Sequence, residues 1–136
     1  MNCIHGNPED KCQKCEAARE HNRTRLKTDF ISAFNYLAIA INQTATEKGW
    51  CKGDRNEGES IALMHSELSE ALEALRNGNP PDNHIPEFTN VEAEYADVII
   101  RIMHMASAKG YRIAEALLAK IEYNKTRSHM HGGKKF

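Results

Sequence analysis

At 136 residues, with 40% apolar and 27% charged side chains, the chain has the length and composition of one ordinary globular domain. Its formal net charge of -1 excludes a general electrostatic pull toward nucleic acid or an anionic membrane. No apolar run approaches the ~18 residues a transmembrane helix needs, and Met1-Asn2-Cys3-Ile4-His5 is too polar for a secretory signal, so a cytoplasmic location is expected.

Three of the four cysteines cluster at the front. Cys3-x-His5, a short turn with Gly6, Asn7 and Pro8, and Cys12-x-x-Cys15 supply three thiolates and one imidazole in two close pairs. In a reducing compartment this spacing suits tetrahedral Zn²⁺, and four protein ligands would leave no open position, so the ion would be structural. The alternatives are a tail that contains cysteines incidentally, or His21 replacing His5 as a ligand. Lys11, Lys14 and Arg19 are interleaved with Glu9, Asp10 and Glu16, so this knuckle carries no basic patch for nucleic acid. The expected organisation is an appendage over residues 1–22 and a helical domain over residues 23–136.

From the mid-twenties to Lys48, Phe30, Phe34, Leu37 and Ile41 recur at three- and four-residue steps, which predicts a first helix stopped by Gly49. Trp50 follows directly; it is either a lid on the core or a face on which a base could stack. A polar loop containing Cys51 leads to a second helix, from near Glu59 to Arg76, with Ile61, Met64, Leu68, Leu72 and Leu75 as its main apolar stripe. Glu67 lies on the shoulder of that stripe beside Leu63, Ala71 and Ala74, and Glu70 one step further round. After Asn77-Gly78-Asn79-Pro80-Pro81, Thr89-x-x-Glu92 reads as a capping box opening a third helix. Its apolar face is Val91, Tyr95, Val98, Ile102 and Met105. Glu94 falls inside that face, where a carboxylate is costly unless a metal or a cation such as Arg101 or Lys120 meets it. Lys109-Gly110 ends the third helix, and a fourth runs from about Arg112 to Thr126. Lys120, Asn124 and Arg127 share a face of it, which suits phosphate oxygens and a base or sugar, although basic residues also favour a helix C-terminus.

No strand, repeat or phosphate-binding glycine loop is visible, so the fold class is all-α: a bundle of about four main helices. Glu67-x-x-Glu70 and Glu94-x-x-Asp97 each place two carboxylates one turn apart on one helix face. Two such helices side by side would gather four carboxylates, which repel unless cations neutralise them. Oxygen-only ligands favour a hard ion such as Mg²⁺. Di-iron bundles use Glu-x-x-His pairs instead, and neither His65 nor His104 stands three residues after a glutamate. The pattern points to a metal-dependent site for a phosphate-bearing substrate.

These residues resemble the MazG-like all-α nucleoside triphosphate pyrophosphohydrolases. The likeness extends from about Phe30 to Phe136 and takes in Lys48-Gly49-Trp50, Ile61 to Glu67, both acidic pairs, Tyr123-Asn124-x-x-Arg127 and His131-Gly132-Gly133-Lys134. The Cys/His segment lies outside it. The resemblance implies a bundle completed by homo-oligomerisation, as a dimer or a dimer of dimers. It implies Mg²⁺ held by Glu67, Glu70, Glu94 and Asp97, and Glu67 or Glu70 as a base for the attacking water. Lys120, Asn124, Arg127 and Lys134 would contact phosphates or nucleotide, and Lys48 and Trp50 would sit near the base or sugar. The reaction would be hydrolysis of (deoxy)nucleoside triphosphates to monophosphate and pyrophosphate, a house-cleaning of nucleotide pools. The competing expectation is a nucleotide-binding regulatory module that acts on a partner through the zinc knuckle.

Overall fold

A computed structural model describes residues 13–50 and 56–127. Among these residues the chain forms four α-helices: α1 (Gln13–Glu47), α2 (Glu57–Arg76), α3 (Asn90–Lys109) and α4 (Ile113–Lys125). The sole extended pairing among them is an isolated antiparallel bridge, Pro81 to Thr89. The all-α class expected from the sequence is therefore observed. No helix among the described residues is long and apolar enough to cross a membrane. The first helix begins at Gln13, well before the mid-twenties expected from apolar periodicity, and it runs through the expected boundary at residue 22 without a break.

The chain divides into two units, one from Phe34 to Ile113 and one that joins the first part of α1, up to Ala33, with α4 from Ala114. The first unit is organised around the hairpin of α2 and α3, two helices packed directly on each other. Local chemistry sets their ends. Asn56 caps α2, its side chain accepting from the Glu59 amide at 2.8 Å. Thr89 and Glu92 form the expected capping box on α3, and Gly110 closes that helix with φ 70°, a left-handed conformation that favours glycine.

The connection between the two helices is itself tied down. Asp82 Oδ1 accepts from the amides of His84 and Ile85, both at 2.8 Å. The Asn90 amide donates to Pro80 O at 2.9 Å, and the Val91 amide donates to Asn79 Oδ1 at 3.1 Å. Contact between Asn79 and Val91 at the loop end, and between Glu67 and Arg101 further along, makes the pair antiparallel and fixes its register.

One expectation about packing is corrected. The buried residues of α2 are Glu67, Ala71 and Ala74. The stripe expected to be its core face is turned outward: Ile61, Leu68, Leu72 and Leu75 are 49%, 45%, 50% and 53% exposed. Alanines let two helix backbones approach closely, so the hairpin closes on the small-residue side and the larger side chains are left facing away. Tyr95 of α3, expected on its apolar face, is also exposed, while Met103 and Ala106 are buried.

Candidate metal centre on the α2–α3 hairpin

The fixed register of the hairpin brings three of the four expected carboxylates together. Glu67, Glu70 and Glu94 each offer a carboxylate oxygen, and these oxygens all lie within 4.8 Å of one another. Glu67 is buried, Glu94 half-buried and Glu70 exposed, so the cluster opens to solvent on the Glu70 side. Asp97 stands outside this triad, one turn along α3 from Glu94, but feels the charges of Glu67, Arg101 and Asp82.

Glu67, at 6% exposure, is the buried charged residue of the chain's described part, and Arg101 meets it. The Arg101 Nε donates to Glu67 Oε1 at 2.6 Å, and its Nη2 contacts the same oxygen. The alternative to a metal at Glu94 was an ion pair with Arg101 or Lys120; Arg101 pairs with Glu67 instead. Glu94 is left with the other carboxylates. Desolvation, then the charge of Glu70, a side-chain hydrogen bond with Glu67 and the charges of Glu67 and Asp97 push its carboxyl up to about 7. Glu94 is thus the carboxyl of the cluster whose charge is most opposed by its surroundings. Asp97 is also raised, first by desolvation of its carboxyl, although the residue as a whole is exposed. The charge of Glu67 adds to this and Arg101 partly offsets it. Asp82, in the connection, moves the other way because the amides of Ile85 and His84 stabilise its charge.

A cavity of about 780 Å³ adjoins this cluster within the same unit. Asp97 and Arg101 belong to its wall together with His104, and Leu37, Ile41, Leu63 and Ile100 make it largely apolar. Trp50 lines it as well, with 62% of its surface exposed. Of the two readings of this tryptophan, the core lid does not fit a side chain this exposed; it stands at the edge of a cavity.

The remaining expected residues lie elsewhere. Lys48 is exposed in the turn after α1 and is not part of the cavity wall. Lys120, Asn124 and Arg127 belong to the other unit, all exposed, with Lys120 Nζ 4.8 Å from the centre of the Tyr123 ring. Cys15 is half-buried in the first turn of α1 and His21 is exposed on the same helix. Cys3, His5, Cys12 and Lys134 lie outside the described residues, as does Cys51.

Sequence reasoning gave His104 no place in the site and offered Arg101 only as an alternative partner for Glu94. The spacing held a signal for both. Arg101 follows Asp97 by four residues and His104 follows it by seven, so all three share one face of α3.

No family model matches the chain, and neither a curated protein nor a solved structure does. The family likeness rests on the residues themselves.

Proposed function

We propose that this chain hydrolyses nucleoside triphosphates to the monophosphate and pyrophosphate in a Mg²⁺-dependent reaction. The observation that carries the reading is the convergence of Glu67, Glu70 and Glu94 from two helices to within 4.8 Å, with Glu67 almost fully buried. A buried carboxylate beside two others is expensive to maintain for stability alone. The donor set is oxygen only, which fits a hard divalent ion such as Mg²⁺. Such an ion, when bound, neutralises phosphate oxygens and lowers the pKa of the water it carries.

The chain's own groups divide the work. Glu67, the buried member of the cluster, suits a ligand more than a base that must meet the attacking water. Glu70, exposed on the same helix, suits the base that takes a proton from an attacking water. Asp97 is the fourth carboxylate, one turn from Glu94, at the edge of the cavity. The cavity volume, about 780 Å³, lies within the roughly 300–1,000 Å³ usual for small-molecule sites. Its apolar wall and Trp50 suit a nucleobase, and the cluster at its edge suits the phosphates. Lys120, Asn124, Arg127, Lys48 and Lys134 remain proposed contacts to the nucleotide by resemblance. The outward apolar stripe of α2 supports a homo-oligomer as the working form.

The reading is tested by measuring pyrophosphate release from a panel of ribo- and deoxyribonucleoside triphosphates, with Mg²⁺ and with EDTA. Mg²⁺-dependent release with a monophosphate product is the expected result. Retention of nucleotide with no pyrophosphate released from any substrate would favour a binding module instead.

A further inference from the structure

Arg101 occupies an unusual position for a side chain at a cation site. Two of its nitrogens converge on one oxygen of Glu67, the most buried member of the acidic cluster. Yet the arginine side chain itself is 35% exposed and belongs to the wall of the adjoining cavity. It has room to leave.

We propose that Arg101 is the resident counter-ion of the acidic cluster, seated on Glu67 in the metal-free chain and displaced into the cavity when a divalent cation enters. The inference rests on the cation reading of Glu67, Glu70 and Glu94 given above. A buried carboxylate without a cation is strongly destabilising, so an unloaded site needs an internal positive charge. A guanidinium seated on the Glu67 carboxylate and a divalent cation bound to the same carboxylate repel each other at that distance. Binding of one therefore opposes binding of the other, and linkage makes the opposition reciprocal. The displaced guanidinium stays within the cavity wall, where its planar donor fork suits a phosphate oxygen. Asp97, one turn back on α3, is its nearest alternative partner on its own helix.

The opposite role has the opposite sign. An arginine that merely orients Glu67 as a ligand would strengthen metal binding, and its loss would weaken affinity by about 10–100-fold. A resident counter-ion weakens metal binding, and its loss should strengthen it.

The test is titration of Mn²⁺ into the metal-free full chain, with the free ion followed by electron paramagnetic resonance, for the natural chain, R101Q and R101K. R101Q should bind Mn²⁺ more tightly by roughly 5–150-fold, the usual range of coupling between two sites. R101K keeps the charge but loses the fork, and should fall between the two. Should R101Q fail to fold, R101K alone decides, since a tighter site is still required of it. Unchanged or weaker Mn²⁺ binding in the folded variants overturns the proposal. A second readout is the Arg101 Nε–H resonance, identified by its absence in R101K. It should leave its hydrogen-bonded position when Mg²⁺ is added, and a resonance that stays in place with the metal bound overturns the displacement. Failure of the natural chain to bind Mn²⁺ at all removes the cation reading itself, an outcome distinct from normal binding that Arg101 does not oppose.

Discussion

Glu94 concentrates the electrostatic strain of this molecule in one side chain. Its carboxyl is pushed from the ordinary 4.5 up to about 7 by desolvation and by the carboxylates around it. The sign of the consequence follows from linkage. A carboxyl whose folded pKa is raised binds its proton more tightly in the folded chain than in the unfolded one. The metal-free chain should therefore lose stability as pH rises from about 4.5 through about 7, and the loss should level off above that. Glu94→Gln removes the titrating group and should flatten this part of the profile in thermal melts recorded in EDTA. The same variant should weaken Mg²⁺ binding by more than the about 10–100-fold usual for an outer-sphere change, and pyrophosphate release with it. A melt profile as steep as that of the natural chain, or full activity in the variant, would count against the role given to Glu94. The acidic pairs were legible in the sequence because i, i+3 spacing is enough to place two carboxylates on one helix face. The grading among them was not. That Glu67 is buried and Glu70 exposed depends on which side of α2 closes on α3, and local spacing carries no information about that choice.

At the scale of elements, the connection between α2 and α3 determines whether the carboxylates meet. A slip of one residue along either helix turns a side chain by roughly 100° and would separate Glu67 from Glu94. The register is held by hydrogen bonds at the loop: Asn79 Oδ1 accepting from the Val91 amide, Pro80 O accepting from the Asn90 amide, and the Thr89–Glu92 capping box. Thr89→Ala removes one half of that box, including the bond between the Thr89 hydroxyl and Glu92 at 2.7 Å. Loss of such a cap costs about 0.5–2 kcal/mol. The expected outcome is an unfolding free energy in denaturant titration lowered by that amount, together with weaker Mg²⁺ binding, because the start of α3 loosens where Glu94 lies. A variant destabilised with unchanged metal affinity would show that the cap serves the helix and not the site. The box itself could be read from Thr89-x-x-Glu92, and the stop from Gly110, because each is a local motif with its own chemistry. The start of α1 could not. Between Gln13 and Leu26 the residues are almost all polar, so no apolar stripe marks that part as helix. The turns of Asp82 around its own neighbouring amides escaped notice for a different reason: a single aspartate in a loop has many possible partners, and only the folded backbone selects among them.

For the whole molecule, the telling fact is how little large apolar surface is covered among the described residues. The buried apolar ones among them are mostly alanines, and Ile61, Leu68, Leu72 and Leu75 stand about half-exposed along one side of α2. Scattered apolar side chains on a surface are ordinary, but a row repeated at three-, four- and seven-residue steps on one helix is the pattern of a helix that packs against another. The sequence displayed that row and suggested a core. The fold assigns the core of the hairpin to the alanine side, and the row becomes a surface that a second copy of α2 could cover. The prediction concerns Leu68→Lys combined with Leu72→Lys. If the row is the contact between copies, the natural chain should sediment as a dimer or larger at micromolar concentration, and the variant as a monomer. The helical circular dichroism signal should be retained, since neither leucine is buried within the chain. The variant should also lose pyrophosphate release if the working site needs both copies, while a monomer that keeps it would place the whole site within one chain. Sedimentation of the natural chain as a monomer would remove the row from the assembly altogether. The half-exposed leucines would then be surface that this chain tolerates alone.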